Sequence, residues 1–353
     1  MAGRVNSQLR LIARPRGPVK DSDFRLTEEP VPALKEGEIL VKTLYFSLDP
    51  AQRNWMDDDP DSYIPPVKLG DVMGAVCLGK VIETRNPAFR RGDITWSIGG
   101  WQQYQIIDPT CAEGQLSGLT VLQTDPALPL SNYLSGCGIT GLTALFGILN
   151  VGRPKPGETV LVSAAAGAVG SVAAQIAKKI SGCRVIGIAG TEEKCRWLTD
   201  ELGIDAAINY RQEKDMAAAI RTACPAGVDI FFDNVGGEIL DATLMNINFQ
   251  GRILMCGRIA TYLDDYKNRP GPYNMWQLLV KNARIEGFTA HTYADQYPSA
   301  TRMLETWTKS GILQFREDIV EGLGNTLSAF RTLFTGENKG RLMMKLADAN
   351  DPD

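Results

Sequence analysis

Glu158–Ile180 reads ETVLVSAAAGAVGSVAAQIAKKI. Val160, Leu161 and Val162 are the short apolar run that a strand buried on both faces requires. A turn of small residues follows. Val169, Val172, Ala173, Ile176 and Ile180 then recur at the three- and four-residue spacing of a helix with one buried stripe. Ala165–Gly170 falls in register with the Gly-x-Gly-x-x-Gly fingerprint, with Ala165 in the first place. In that reading Gly167 lets the backbone approach a dinucleotide pyrophosphate and Gly170 lets the helix pack closely on the strand. The free N–H groups of the helix start, around Ala168 and Val169, bind the anion. Small residues also serve simply to pack a helix on a sheet, so the motif by itself leaves both readings open.

The next segment favours the dinucleotide. Cys183–Gly190 (CRVIGIAG) predicts a second buried strand, and it ends on Gly190 where a cofactor with a free ribose 2′-OH would want a carboxylate. Glycine cannot accept that hydrogen bond. Four residues on, Lys194 lies in the first turn of a helix that Thr191 can cap, close enough to neutralise a 2′-phosphate. NADPH therefore fits better than NADH. The competing reading of Lys194 is a solvated helix lysine, and Glu192 and Glu193 beside it are explained by the helix dipole alone.

At 353 residues the chain exceeds the usual size of one hydrophobic core, so two domains are expected. Its 44% hydrophobic and 22% charged residues are those of an ordinary globular protein. A net charge of −4 gives no basic footprint, which argues against a nucleic-acid partner. No apolar run approaches the ~20 residues needed to span a bilayer, so no membrane partner is expected. Arg4, Arg10, Arg14, Arg16 and Lys20 faintly resemble a transit peptide, but Gln8–Ile12 suits a first strand better. Cysteines at 77, 111, 137, 183, 195, 224 and 256 are odd in number and form no Cys-x-x-Cys pair, which suits a reducing, cytoplasmic setting. With His291 the single histidine and no Cys/His cluster, a catalytic zinc site lacks its ligands and metal-free chemistry is expected.

Residues 1–130 hold several strand candidates and little helical periodicity, which predicts a barrel-like β unit. Ile39–Phe46 and Ala75–Glu83 are two of them. Asp93–Trp96 and Gln103–Ile107 read as neighbouring strands joined through Ser97–Gly100. Asp49–Pro66 (DPAQRNWMDDDPDSYIPP) is a long loop carrying Trp55 and Tyr63, either a binding loop or one pinned to the surface by its aromatics. Leu134–Leu149, apolar nearly all round, predicts a buried helix. Ala207–Tyr210, Val228–Asp233 and Arg252–Cys256 alternate with helix-like Met216–Thr222 and Glu238–Ile247, the mark of a doubly wound parallel sheet over 131–305. Residues 306–353, with a final strand candidate at Gly340–Leu346, are expected to return to the first unit.

Ser47–Arg53 (SLDPAQR), Thr140–Ala144 (TGLTA), Ser163–Gly170 (SAAAGAVG), Asn209-Tyr210, Phe232–Gly237 (FDNVGG), Cys256–Tyr262 (CGRIATY), Glu286–Phe288 and Gly336–Arg341 (GENKGR) run along almost the whole chain. Together they resemble the zinc-free medium-chain dehydrogenase/reductases, and within them the NADPH-dependent alkenal/one reductases. The resemblance implies a GroES-like β-barrel catalytic domain split around a Rossmann domain, usually in a homodimer. It places Gly167, Ala168 and Val169 on the pyrophosphate, with Gly170 in the same turn, and Lys194 and Tyr210 on the 2′-phosphate, with Gly190 beside them in the cofactor site. Asn234 and the loop holding Cys256, Gly257, Ile259 and Tyr262 lie beyond strand ends, where ligands collect. Phe288 and Asn338 would flank the nicotinamide, although Asn234 and Asn338 also read as turn residues. Ala51 stands where relatives carry tyrosine, while the Ser62–Pro66 pattern (SYIPP) points to a bacterial-type subgroup.

The implied activity is NADPH-dependent reduction of the C=C bond of an α,β-unsaturated ketone or aldehyde. Tyr262 is the expected hydrogen-bond donor to the enolate and Tyr63 the second candidate, since a phenol donates to an oxyanion without carrying charge. A packing or phosphate-contacting role for Tyr262 stays open. So do a quinone reductase and an NADPH-binding protein without turnover.

Overall fold

The computed structural model describes residues 4–110 and 119–351; Cys111 lies outside them. The first strands are β1 (Val5–Leu11), β2 (Phe24–Pro30), β3 (Ile39–Ser47), β4 (Gly74–Thr84), β5 (Ile94–Gly100), β6 (Tyr104–Ile107) and β7 (Leu119–Val121). The parallel strands β8 (Thr159–Val162), β9 (Arg184–Ala189), β10 (Ala206–Asn209), β11 (Val228–Asp233), β12 (Ile247–Met255) and β13 (Arg284–Gly287) follow. Last come β14 (Glu317–Glu321) and β15 (Arg341–Lys345).

The first sheet has the order β14-β15-β3-β4-β5-β7, with β6 also on β3. Met343 pairs Ser47, so a strand from the far end of the sequence completes a sheet begun at its start. Trp101 is fully buried at the centre of this unit, with ring centroids 5.3 Å from Phe24, 6.4 Å from Phe46 and 5.5 Å from Phe330. Phe330 is delivered by the helix Thr326–Thr335, which closes one end of the apolar interior.

The second sheet runs β10-β9-β8-β11-β12-β13, wholly parallel, with helices between successive strands. Strand order reverses between β8 and β11, and the crevice outside their carboxyl ends is where such sheets bind ligands. A GroES-like sheet unit with a Rossmann unit is thus the architecture the sequence predicts.

Several local expectations are corrected. Asp93–Trp96 and Gln103–Ile107 are not neighbours: Ser97–Gly100 stays in strand β5, pairing Gly74–Cys77, and β6 crosses to pair Ile39–Lys42 of β3. The helix expected from Leu134 begins at Ile139, because a Cβ at Gly138 would lie 2.0 Å from the Tyr133 carbonyl oxygen and the Ser135–Gly138 turn stays out of the helix. Glu238–Ile247 is helical only to Leu244, and Ile247 opens β12. Ile180 is 37% exposed, since the last turn of the fingerprint helix clears the sheet; Ser171, Ala174 and Gln175 are buried beside Val172 and Ala173 instead. β2, β13 and β14 carry alternating charge and partial exposure, and nothing in their composition marked them as strands.

Candidate cofactor and substrate site

The turn after β8 is fixed by its backbone. Ala164 takes the left-handed conformation at φ +47°, its carbonyl accepts the Gly167 N–H at 2.9 Å, and Gly167 stands extended as the helix N-cap before Ala168–Gln175. A Cβ at Gly170 would sit 2.3 Å from the Ala164 oxygen, so only glycine permits this approach of helix to strand. Val169 is partly buried and Ala168 opens the helix, leaving the first N–H groups facing the crevice.

The neighbouring turn is tied to this one. Asp233, at the end of β11, accepts hydrogen bonds from the Val235 and Gly236 N–H groups, both at 2.9 Å, and from the Ser163 hydroxyl at 3.0 Å. Asn234 donates its side-chain amide to the Ser163 carbonyl at 2.7 Å, and its backbone N–H to the Ser163 hydroxyl at 2.8 Å. Cys256 and Gly257 donate their N–H groups to the Asp233 carbonyl. Burial and the Asp233 charge push the Cys256 thiol up to about 12, so it is protonated and unreactive at neutral pH. The short helix Ile259–Thr261 follows and ends at Tyr262, whose hydroxyl accepts the Arg258 N–H at 3.4 Å. Burial raises the pKa of Tyr262, and its phenol stays a neutral donor across the working range.

At the end of β9, the Tyr210 ring packs on Gly190, where a Cβ would come within 2.9 Å of it. Thr191 caps the following helix, accepting the Lys194 N–H at 3.2 Å. Lys194 Nζ donates to the Gly336 carbonyl at 2.8 Å, and Arg211, unnoticed in the sequence, donates to the Thr335 carbonyl at 2.7 Å while lying over the Tyr210 ring. Burial and the Arg211 charge lower the Lys194 pKa. Two cations held together on backbone carbonyls, against one aromatic face, form a pocket that a dianionic phosphate would relieve. With the glycine turn, this donor set fits the phosphate end of NADPH.

The remaining residues approach from elsewhere. Phe288, just past β13, meets Phe232 edge-on at 6.0 Å. Asn338 donates its amide to Gly340 at 3.0 Å, closing its own turn, and Gly340 forms a bridge to Gly167, so the segment Gly336–Arg341 lies directly over the fingerprint. Arg341 holds it there through an ion pair with Asp49 and a bond to the Leu134 carbonyl at 3.0 Å.

The loop Asp49–Pro66 forms the facing wall. Arg53 is buried, donating to Asp57 at 2.5 Å and to the Pro15 carbonyl at 2.9 Å. Across the cleft Arg269 donates to Asp57 at 3.2 Å, Asn54 at 3.1 Å and the Thr261 carbonyl at 3.2 Å. One guanidinium thus couples this loop to the short helix that carries Tyr262. Trp55 is buried, whereas Tyr63 is 55% exposed, with Tyr262, Asp49 and Cys256 near enough to act on its phenol. Among the described residues, no group of three or more His, Cys, Asp or Glu side chains could hold a metal.

Two family descriptions match the chain: residues 7–114 the N-terminal domain of oxidoreductases, and residues 168–306 the zinc-binding dehydrogenases. Among its relatives, the NADPH-dependent curcumin reductase of Escherichia coli is 38% identical over 342 residues, 96% of each chain. The NADP(+)-dependent 2-alkenal reductase of Nicotiana tabacum is 37% identical, over 97% of this chain and 98% of its own. The crystal structure of CurA in complex with NADPH from Vibrio vulnificus superposes with a TM-score of 0.88 at 36% identity, covering 97% of this chain and 99% of the other.

Proposed function

Because the chain belongs to the medium-chain dehydrogenase/reductases, in their alkenal reductase-like branch, we propose that it reduces the C=C bond of α,β-unsaturated ketones and aldehydes with NADPH. The observation that carries this reading is the donor set at the phosphate end, the glycine turn with Lys194 and Arg211 held on the Gly336 and Thr335 carbonyls, in a chain similar over nearly its whole length to NADPH-dependent enone reductases. When bound, NADPH would supply a hydride to the β-carbon; the double-bond electrons move to the carbonyl oxygen, and a proton from solvent at the α-carbon completes the reduction as the enolate collapses.

The chain's own residues do the rest. Gly167, Ala168, Val169 and Gly170 present backbone N–H groups to the pyrophosphate, with Asn234, Cys256, Gly257 and Ile259 lining the adjoining turns. Lys194, Tyr210 and Arg211, around Gly190, take the 2′-phosphate. Phe288 and Asn338 stand at the nicotinamide end. Tyr262 donates to the oxygen where charge develops, a task that suits a phenol kept protonated by burial.

A panel of enones, enals and quinones, assayed by NADPH oxidation, tests the assignment. Enone or enal turnover supports it; turnover of quinones alone would make the chain a quinone reductase, and binding without turnover would make it a non-catalytic NADPH protein.

The reaction we propose is zinc-independent, supported by the single histidine and by the dispersal of the described cysteines. We also propose a cytoplasmic homodimer. Strand β13 is an unpaired sheet edge, and close to it Trp276 and Leu279 are 68% and 66% exposed, an apolar strip suited to a second copy of the same edge. Leu279→Glu should convert the dimer to monomer in sedimentation at micromolar protein; a wild-type monomer would refute the proposal.

A further inference from the structure

The chain returns from the Rossmann unit to the first sheet along residues 312–341, and the Rossmann unit grips that return at two places by different means. The first grip is complete in itself. Gln175, fully buried on the fingerprint helix, donates its side-chain amide to the Gln314 carbonyl at 2.6 Å and accepts the Gln314 N–H at 3.0 Å. Lys179 donates to the Ile312 carbonyl at 2.9 Å and to the Gln175 amide oxygen at 3.1 Å. This joint is closed without any ligand.

The second grip is made of two cations. The helix Thr326–Thr335 ends at Gly336, which takes the left-handed conformation at φ +74° and returns its N–H to the Thr332 carbonyl at 3.0 Å. The Thr335 and Gly336 carbonyls are left beyond the helix end. Arg211 donates to the first at 2.7 Å and Lys194 to the second at 2.8 Å; a Cβ on Gly336 would stand 3.3 Å from the same Arg211 nitrogen. Cations suit the negative end of a helix, but two side by side repel one another. Among the described residues neither forms an ion pair, and Glu193, beside Lys194 in sequence, is paired with Lys339 at 2.8 Å instead. This grip is short of negative charge, which a dianionic phosphate would supply. An ammonium carries three N–H donors and a guanidinium five, so each can hold a carbonyl and a phosphate oxygen together.

Gly336 also opens the segment that carries Asn338 and bridges Gly340 to Gly167. We infer that Lys194 and Arg211 are positioning residues as well as phosphate ligands: the 2′-phosphate, by binding both, locks the end of helix Thr326–Thr335 and sets residues 336–341, Asn338 among them, at the nicotinamide end. Binding energy won at one end of the cofactor is thus used at the other, and NADH, without the phosphate, leaves the segment loose. This rests on the placement of the 2′-phosphate proposed above and not on the choice of substrate.

Hydrogen exchange read by mass spectrometry tests the latch without turnover. Adenosine 2′,5′-bisphosphate carries the phosphate and no nicotinamide, whereas adenosine 5′-monophosphate lacks the 2′-phosphate. At saturation, fixed by titration, the bisphosphate should slow exchange across 336–341 about fivefold or more, and the monophosphate should not. The peptide around Gln314 should be unchanged by either. Arg211 is exposed, so Arg211→Ala leaves the fold intact; in that variant the bound bisphosphate should lose most of its protection, and Arg211→Lys should restore it. Binding without protection, or equal protection in Arg211→Ala, would show that no latch exists. If the bisphosphate does not bind, the placement of the 2′-phosphate fails and the latch falls with it.

Kinetics with benzylideneacetone give a second readout. Wild-type kcat at saturating NADPH should exceed that at saturating NADH roughly fivefold, and Arg211→Ala should lower the NADPH value by the same factor. A raised NADPH KM with kcat intact would reduce Arg211 to a phosphate contact alone. If the protein reduces no enone while the exchange pattern is as expected, the proposed substrate fails and the latch stands.

Discussion

The two walls of the cleft are built by different means. On the Rossmann side the fingerprint turn is made of backbone: Ala164 at positive φ, Gly167 and Gly170 allowing close approach, and N–H groups left free by the helix start. On the barrel side the loop Asp49–Pro66 is made of side chains, with Arg53, Asp57 and Arg269 in one chain of ion pairs. A backbone site recognises what every NADPH has in common. A side-chain wall can be rebuilt residue by residue, so substrate choice is the property expected to vary there.

This contrast breaks down if substitutions on either wall affect cofactor and substrate alike. Tyr262→Phe removes the proposed enolate donor and should lower kcat for an enone by roughly 10²–10³, with NADPH binding changed only modestly. Steady-state kinetics with a direct NADPH titration decides; a raised NADPH KM with kcat intact would return Tyr262 to a merely supporting role. Arg269→Ala removes one of the two guanidiniums on Asp57, which Arg53 still pairs, together with the bonds to Asn54 and the Thr261 carbonyl, and should destabilise the protein by about 1–3 kcal/mol, seen in urea unfolding. In native conditions the same variant should raise the enone KM more than the NADPH KM, because the loop it releases belongs to the substrate wall. Equal increases would show that the walls are not independent.

Lys194→Ala tests the other wall. It should raise the KM for NADPH by roughly tenfold to more than a hundredfold, the loss of one charge-assisted phosphate contact of about 1.5–3 kcal/mol, and leave the KM for NADH nearly untouched. Equal weakening of both cofactors would mean that the Lys194 bond to Gly336 is its whole purpose. Prolonged chelation should change nothing in activity on either wall, and stoichiometric zinc lost together with activity would overturn the metal-free reading.

The same contrast explains what could be read from the sequence. β8, its turn and its helix are a local pattern in which every informative residue lies within one short window, and their positions are as expected. Thr191 as a cap was legible for the same reason. The Arg53–Asp57–Arg269 chain was not, because it joins residues remote in sequence and charged side chains in a loop ordinarily face solvent. Arg211 was overlooked because its role depends on Thr335 and Gly336 crossing over it. The false pairing of β5 with β6 arose from assuming that adjacent strands pair, whereas β6 reaches back to β3. Asn338 carries both of its readings still, since its amide closes a local turn at the mouth of the cofactor site.

The bridge between Gly340 and Gly167, with Met343 seated against Ser47, bears on how the molecule is made. During synthesis the parallel sheet can assemble as soon as its own strands have emerged, since all six lie in one continuous stretch between Thr159 and Gly287. The first sheet cannot: Ser47 waits for Met343, and until then β3 offers an open ladder edge to any other chain. The slow, aggregation-exposed interval in the life of this protein therefore belongs to its earliest-made strands, and NADPH, gripped partly by the last-arriving segment, should shorten that interval by trapping the closed form.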